Sequence, residues 1–99
     1  MKYRISLLAS QDLENIRLYA VEKQAIEQAD RCLNLIMDEI KYVSQKPESG
    51  FDFSSVREGY YRSRVKSHII FYRIDQKNES VEIIRIFHQR MDVENPLSE

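Results

Sequence analysis

Between Tyr60 and His88 the chain holds three runs rich in β-branched and aromatic residues, and only short polar gaps separate them. The runs cover residues 60–66, 68–74 and 81–88. The gap at Lys66-Ser67 suits a tight hairpin, and residues 75–80 supply the turn formers of a longer one. The segment therefore predicts three antiparallel strands in a meander.

Apolar residues upstream of these strands recur at steps of three and four, as they do along the buried face of a helix. They are Ala25, Ala29, Cys32, Leu33, Ile36, Ile40 and Val43. A shorter stripe of Leu13, Ile16 and Ala20 predicts a helix before this one. Only a polar segment at 22–24 separates the stripes, so we expect an antiparallel helical hairpin.

The ends of the hairpin are marked by residues that cap or break helices. Ser6 is the predicted N-cap of the first helix, with Ser10 as the alternative start. Pro47 cannot continue the second helix, and Gly50 permits a sharp redirection into a loop over 51–58. Alternation over residues 2–6 predicts a short strand ahead of the helices. The expected fold is α+β: an N-terminal strand, a two-helix hairpin and a three-stranded antiparallel meander.

The composition limits the class of protein. A chain of 99 residues can bury one modest core, so residues 1–99 are expected to form a single domain. No apolar run approaches the roughly 20 residues that span a bilayer, and no signal-peptide pattern is present, which favours a cytoplasmic protein. The single Cys32 is expected to be a buried small hydrophobe.

Established cofactor and metal motifs are absent from the sequence. With two glycines in the whole chain, a backbone cradle for phosphates is not expected, and none of the nucleotide-binding or hydrolase motifs occurs. His68 and His88 have no Cys or carboxylate at ligand spacing beside them. We therefore expect neither a cofactor nor a metal.

Positive charge is concentrated in residues 57–73, although the formal net charge of the whole chain is −1. Five cations lie there against the single anion Glu58: Arg57, Arg62, Arg64, Lys66 and Arg73. Strand alternation places Tyr60 with Arg62, Arg64 and Lys66 on one face. Such a row either binds a partner or protects an edge strand from aggregation. Strong binding to duplex DNA is not expected, because the helical hairpin is net acidic.

His88 offers an alternative, catalytic interpretation of the same strands. If Arg62 and Arg64 lay beside it on neighbouring strands, His88 could act as a general acid or base on a ribose hydroxyl. The arginines would stabilise phosphate charge. The protein would then be a metal-independent endoribonuclease. The competing interpretation is a polar side chain hydrogen-bonded at the end of a strand.

The order of elements and a set of local motifs resemble the ParE toxins of the RelE/ParE superfamily. The motifs are Arg57-x-Gly59, Tyr61-Arg62, Val65, His68-Ile69-Ile70-Phe71-Tyr72-Arg73, Ile83-x-Arg85-Ile86 and His88-x-Arg90-Met91-Asp92. Arg90-Met91-Asp92 is the most ParE-specific of them. Lys66 stands in the tight turn where many relatives carry glycine.

The resemblance implies the toxin of a type II toxin–antitoxin pair, neutralised by a small ParD-like antitoxin. The usual target of such toxins is DNA gyrase, whose inhibition stalls replication and growth. It also implies target-binding residues, namely Arg57, Tyr60, Arg62, Arg64, Lys66, His88, Arg90, Met91 and Asp92. A RelE-like ribosome-dependent mRNA endoribonuclease is the alternative, and a toxin fold that has lost toxicity is a third possibility.

Overall fold

The computed structural model describes residues 1–23, 25–53 and 55–88, and its elements follow the predicted order with two additions, a 3₁₀ turn and a short strand after it. The elements are β1 (Lys2–Ile5), α1 (Leu7–Lys23), α2 (Ile26–Gln45), a 3₁₀ turn (Pro47–Ser49), β2 (Phe51–Asp52), β3 (Tyr60–Val65), β4 (His68–Asp75) and β5 (Ser80–His88). Neither described helix combines the length and apolarity needed to cross a membrane.

The strands form one sheet in the order β1-β5-β4-β3-β2. β1 runs parallel to β5, and the other neighbours are antiparallel, so the predicted meander is confirmed. The loop predicted over 51–58 is wrong at its start, because Phe51 and Asp52 pair with Arg62 and Tyr61 as a fifth strand. Two residues are too few to give an alternation signal in the sequence.

Ser6 ties the start of the helical hairpin to the last strand of the sheet. Its hydroxyl accepts a hydrogen bond from Ala9 N at 3.0 Å, which confirms the predicted N-cap over the alternative start at Ser10. The same hydroxyl donates to Ile84 O at 2.8 Å, and Ser6 N donates to Ile83 O at 3.0 Å. The position of α1 is therefore fixed by β5.

The two helices cover one face of the sheet, and the core lies between these layers. Ile36, Ile40 and Val43 on α2 are fully buried, whereas Ala25 precedes the helix and is exposed, so it does not belong to the predicted stripe. The core cluster consists of Ala9, Ile36, Ile40, Val43, Ile70, Tyr72, Val81, Ile83 and Ile86. The strand members of this cluster define which side chains face the helices.

The opposite side of the sheet carries a second, smaller cluster. Phe71 and Phe87 are buried there, packed against Phe53, Tyr60 and Ile69. Because neighbouring side chains on a strand point to opposite faces, the residues between the core positions belong to this side. We call the sheet surface opposite the helices the outer face.

The hydroxyl of Tyr72 fastens the end of the helical hairpin to the sheet. It donates to Pro47 O at 2.8 Å and accepts from Gly50 N at 3.1 Å. Gly50 has a φ of −77°, which any residue can adopt, so space rather than backbone freedom requires glycine. A Cβ there would lie 2.7 Å from Arg62 O and collide with the hydroxyl. Burial raises the pKa of Tyr72 to about 12.

Beyond the end of β1, the edge of β5 is covered by a carboxylate from α1. The pairing of β5 with β4 skips Ile84, which leaves a bulge beside this edge. Asp12 accepts hydrogen bonds from Ile86 N at 2.9 Å and from Arg85 Nε and Nη2 at 2.9 and 3.2 Å. This carboxylate satisfies a backbone donor that no strand pairs.

Candidate target-binding surface

Three of the predicted site residues follow one another along the outer face. Tyr60, Arg62 and Arg64 alternate with helix-facing residues of β3 and lie opposite Arg73, Phe71 and Ile69 of β4. Arg64 is exposed, and its Nε donates to Lys66 O at 3.2 Å. The shared face predicted from alternation is confirmed for Tyr60 and for the two cations Arg62 and Arg64.

The arginine side chains of this face stack on aromatic rings. The guanidinium carbon of Arg62 lies 4.7 Å from the ring centroid of Phe51 and 5.7 Å from that of Phe53. The corresponding distance from Arg57 to Tyr60 is 5.9 Å. Ring faces attract cations, so these contacts hold the guanidinium groups in place without removing their charge.

Carboxylates neutralise the outer face unevenly. Near β1 the Arg73 guanidinium lies 2.8 Å from Glu82, whose hydrogen bond raises the pKa of Arg73, and 3.9 Å from Asp75. Within residues 1–23, 25–53 and 55–88, no carboxylate lies within ion-pair distance of Arg57 or Arg62. The arginines that have no carboxylate nearby among the described residues, Arg57 and Arg62, therefore lie in β3 and in the loop before it.

Two other predicted site residues, Lys66 and His88, lie on the helix side of the sheet. Lys66 is not the fourth member of the strand row, because β3 ends at Val65 and Lys66 lies in the hairpin turn with a φ of 55°. Lys66 and His88 line a groove of about 560 Å³ between α1, α2 and the sheet. The remaining lining residues are Asp12, Asn15, Ile16, Tyr19, Ala20, Cys32, Ser67, His68 and Ile86.

A histidine pair and the single cysteine meet in this groove. The rings of His68 and His88 pack edge to face with centroids 5.3 Å apart, and His68 Nδ1 lies 4.0 Å from Cys32 Sγ. Burial and the nearby His88 lower the pKa of His68, and burial raises the pKa of the Cys32 thiol. The described residues hold no group of three or more His, Cys, Asp or Glu placed to bind a metal ion.

The arrangement of strands, helices and arginines can be compared with known proteins. The family model of the ParE toxin of type II toxin–antitoxin systems, parDE, matches residues 3–93. The chain belongs to the ParE toxin family. Its relatives include the ParE1 toxin of Caulobacter vibrioides, 34% identical over 90 residues that cover 91% of each chain. The ParE1 toxin of Mycobacterium tuberculosis is 29% identical over 96 residues and 97% of each chain.

Solved structures show the same fold. The chromosomal ParDE toxin–antitoxin system from P. aeruginosa contains a chain that superposes with a TM-score of 0.76 at 20% identity, covering 89% of this ParE toxin and 95% of that chain. A chain of the RelBE2 toxin–antitoxin complex from M. tuberculosis gives a TM-score of 0.68 at 21% identity, covering 88% and 95%. The RelE/ParE-like α+β fold is thereby confirmed.

Within this ParE fold, the residues of the catalytic alternative are not brought together. His88 faces the helices beside His68, whereas Arg62 and Arg64 lie on the outer face, and β4 separates β3 from β5. The expectation that these three side chains lie next to one another is wrong. The sequence alone does not show that β5 carries His88 on one face of the sheet while β3 carries Arg62 and Arg64 on the other.

Other target-binding residues predicted for this ParE toxin belong to the C-terminal segment, and one residue of the site was not predicted. Arg90, Met91 and Asp92 lie outside the described residues. Sequence reasoning missed Phe51, which is 61% exposed and stacked on Arg62. Phe51 and Phe53 lie in a segment that the sequence predicts to be a loop, and two aromatic residues there are too few to indicate a strand.

Proposed function

We propose that this ParE-family toxin inhibits DNA gyrase by binding to it through the outer face, so that replication stalls. A ParD-like antitoxin would neutralise it, and both proteins would act in the cytoplasm. The proposal combines membership of the family with the chemistry of the outer face.

The observation that carries the proposal is the grouping of cations on that face. Arg57 and Arg62 keep their charge unmatched by described carboxylates and are stacked on rings, which suits contact with an acidic surface. His88, the proposed acid or base of the catalytic alternative, lies on the other side of the sheet. Binding therefore fits this geometry better than RNA cleavage does.

The antitoxin would cover apolar residues that the toxin leaves exposed on α1. Leu7 is 74% exposed, and Leu8, Leu18 and Tyr19 are each at least half exposed. Scattered exposed apolar residues are normal, but four on one helix form a surface on which an amphipathic segment can fold as it binds. Lys66 at the groove rim would attract an acidic residue of that segment.

Purified toxin, prepared by dissociating it from co-expressed antitoxin, tests the proposal in a gyrase supercoiling assay. We expect dose-dependent inhibition that added antitoxin reverses. Supercoiling that is unchanged at large toxin excess would refute the gyrase assignment. Primer extension on cellular mRNA after induction examines the RelE-like alternative, which predicts cuts that depend on His88.

A further inference from the structure

Strand β2 and the loop that follows it carry exposed apolar side chains close in sequence or pairing to two arginines that have no described carboxylate partner. Phe51 on β2 is 61% exposed, and Val56 in the following loop is 53% exposed. Val56 N and Arg57 N both donate to Phe53 O, at 3.0 and 3.1 Å, so the backbone of these two residues lies beside the Phe53 carbonyl. Together with Arg62, we call Phe51, Val56 and Arg57 the Phe51–Arg62 corner.

The corner is held in a defined shape before any partner binds. β2 pairs with β3 at Phe51 and Arg62, which places the ring beside the guanidinium at 4.7 Å. Phe53 supports the same guanidinium from 5.7 Å and packs edge to face on buried Phe71. Side chains that are already ordered lose less conformational entropy on binding. An aromatic ring and an arginine ordered in this way are typical of residues that dominate binding energy.

The charges around the corner define the kind of surface that it fits. Two other arginines of the outer face have carboxylate partners among the described residues: Arg73 pairs with Glu82 at 2.8 Å, and Arg85 pairs with Asp12 at 2.9 Å. Since no described carboxylate forms an ion pair with Arg57 or Arg62, a partner would supply the negative charge that pairs with them.

Two features favour a protein over a nucleic acid. Val56 cannot stack on a base, yet burying it together with Phe51 would be favourable in a protein pocket. The chain has a formal net charge of −1, so it has no long-range attraction for a polyanion. We propose that the Phe51–Arg62 corner is the main contact through which the toxin binds its target. It binds an apolar pocket on a protein surface that is surrounded by acidic side chains.

This inference rests on the proposed toxin function and adds Phe51 and Val56 to the target-binding residues that the sequence indicated. Phe51 and Val56 become the apolar centre, and Arg57 and Arg62 become its charged rim. The rest of the arginine row would contribute less, because the centre of an interface carries most of its energy.

Single substitutions in the corner test the inference, with growth arrest on induction and inhibition of purified gyrase as separate measurements. Phe51→Ala and Arg62→Ala should each weaken inhibition by roughly 30-fold, the usual effect of truncating an anchor residue. Arg62→Lys should recover only part of the loss, since it keeps the charge but not the planar stacking.

The matched controls are Arg31→Ala and Tyr42→Ala. Arg31 is an exposed arginine on α2, away from the outer face, and Tyr42 is a 46% exposed aromatic residue on the same helix. Both should arrest growth like the wild type. Antitoxin binding and the circular dichroism melting curve, measured for every variant, show that the corner variants remain folded.

The outcomes separate the role of the corner from the gyrase assignment. If the wild type leaves gyrase active but growth arrest still requires Phe51 and Arg62, the target is another protein and the role of the corner stands. If folded Phe51→Ala and Arg62→Ala remain as toxic as the wild type, the role of the corner is refuted whatever the target. Arg62-dependent binding of a labelled single-stranded or duplex oligonucleotide, tighter than binding to gyrase, would refute the choice of a protein surface.

Discussion

Replacing Tyr72 by Phe removes one oxygen atom that joins three parts of the chain. The ring stays in place, because it is fully buried and stacked on Tyr61 with centroids 5.7 Å apart. Pro47 O loses its donor at 2.8 Å, and Gly50 N loses its acceptor at 3.1 Å. With each buried group left unsatisfied costing about 1 to 3 kcal/mol, partly relieved by water, we expect the free energy of unfolding to fall by about 2 to 3 kcal/mol.

For a domain of this size that loss corresponds to a drop in melting temperature of roughly 10 to 20 °C. Urea denaturation followed by circular dichroism gives the free energy of unfolding directly. Tyr42→Phe is the control, since its side chain is 46% exposed and its change should stay within about 0.5 kcal/mol.

The pH dependence gives an independent test of the same hydroxyl. Burial raises the pKa of Tyr72 from 10.0 to about 12, so between these values the folded form holds a proton that the unfolded form releases. Stability from this group is complete below pH 10 and is lost as the pH rises towards 12, by about 3 kcal/mol in all. The advantage of wild type over Tyr72→Phe should therefore shrink above pH 10. A Tyr72→Phe protein as stable as Tyr42→Phe at neutral pH would refute the reasoning.

Three further perturbations have defined outcomes. Asp12→Ala removes the acceptor of Arg85 and of a β5 backbone N–H, so the free energy of unfolding in urea should fall by about 2 to 4 kcal/mol. The control Glu14→Ala changes an exposed carboxylate and should have little effect, and equal losses for the two variants would contradict the prediction. Gly50→Ala drives a Cβ against the β3 carbonyl and should lower the melting temperature, whereas an unchanged value would show that the connection can shift. Because the pKa of His68 is lowered from 6.5, the unfolded chain takes up the proton first, so stability should fall as the pH drops below about 6.5. His68→Asn should reduce this loss of stability at acid pH. An unchanged loss in the variant would show that other groups cause it.

Sequence periodicity was sufficient for the elements that present a regular pattern to a core. The α2 positions Ile36, Ile40 and Val43 are buried as their spacing predicts, and the strand limits agree within a residue. Ser6 was identifiable as an N-cap because the chemistry of capping is local. Such features are determined by residues close together in the sequence, so they can be predicted from it.

The features that escaped prediction depend on contacts between distant residues. β2 exists because Phe51 and Asp52 meet β3, and its two residues carry no pattern of their own. Alternation placed Arg62 and Arg64 on one face, but it could not show that His88 lies on the other, since that depends on how three strands are aligned. The hairpin turn also shifted Lys66 off the strand, with a positive φ that non-glycine residues seldom adopt.

The parallel pairing of β1 with β5 has a consequence for how the toxin is made. Ser6 and Ile84 are 78 positions apart, so during synthesis the first strand and the capped start of α1 have no partner until the last strand emerges. The helical hairpin can form early, but closing so long a loop costs entropy that only the completed sheet offsets. A ribosome carrying most of this chain therefore holds an incomplete fold, and the sheet is complete only after β5 has emerged and paired with β1.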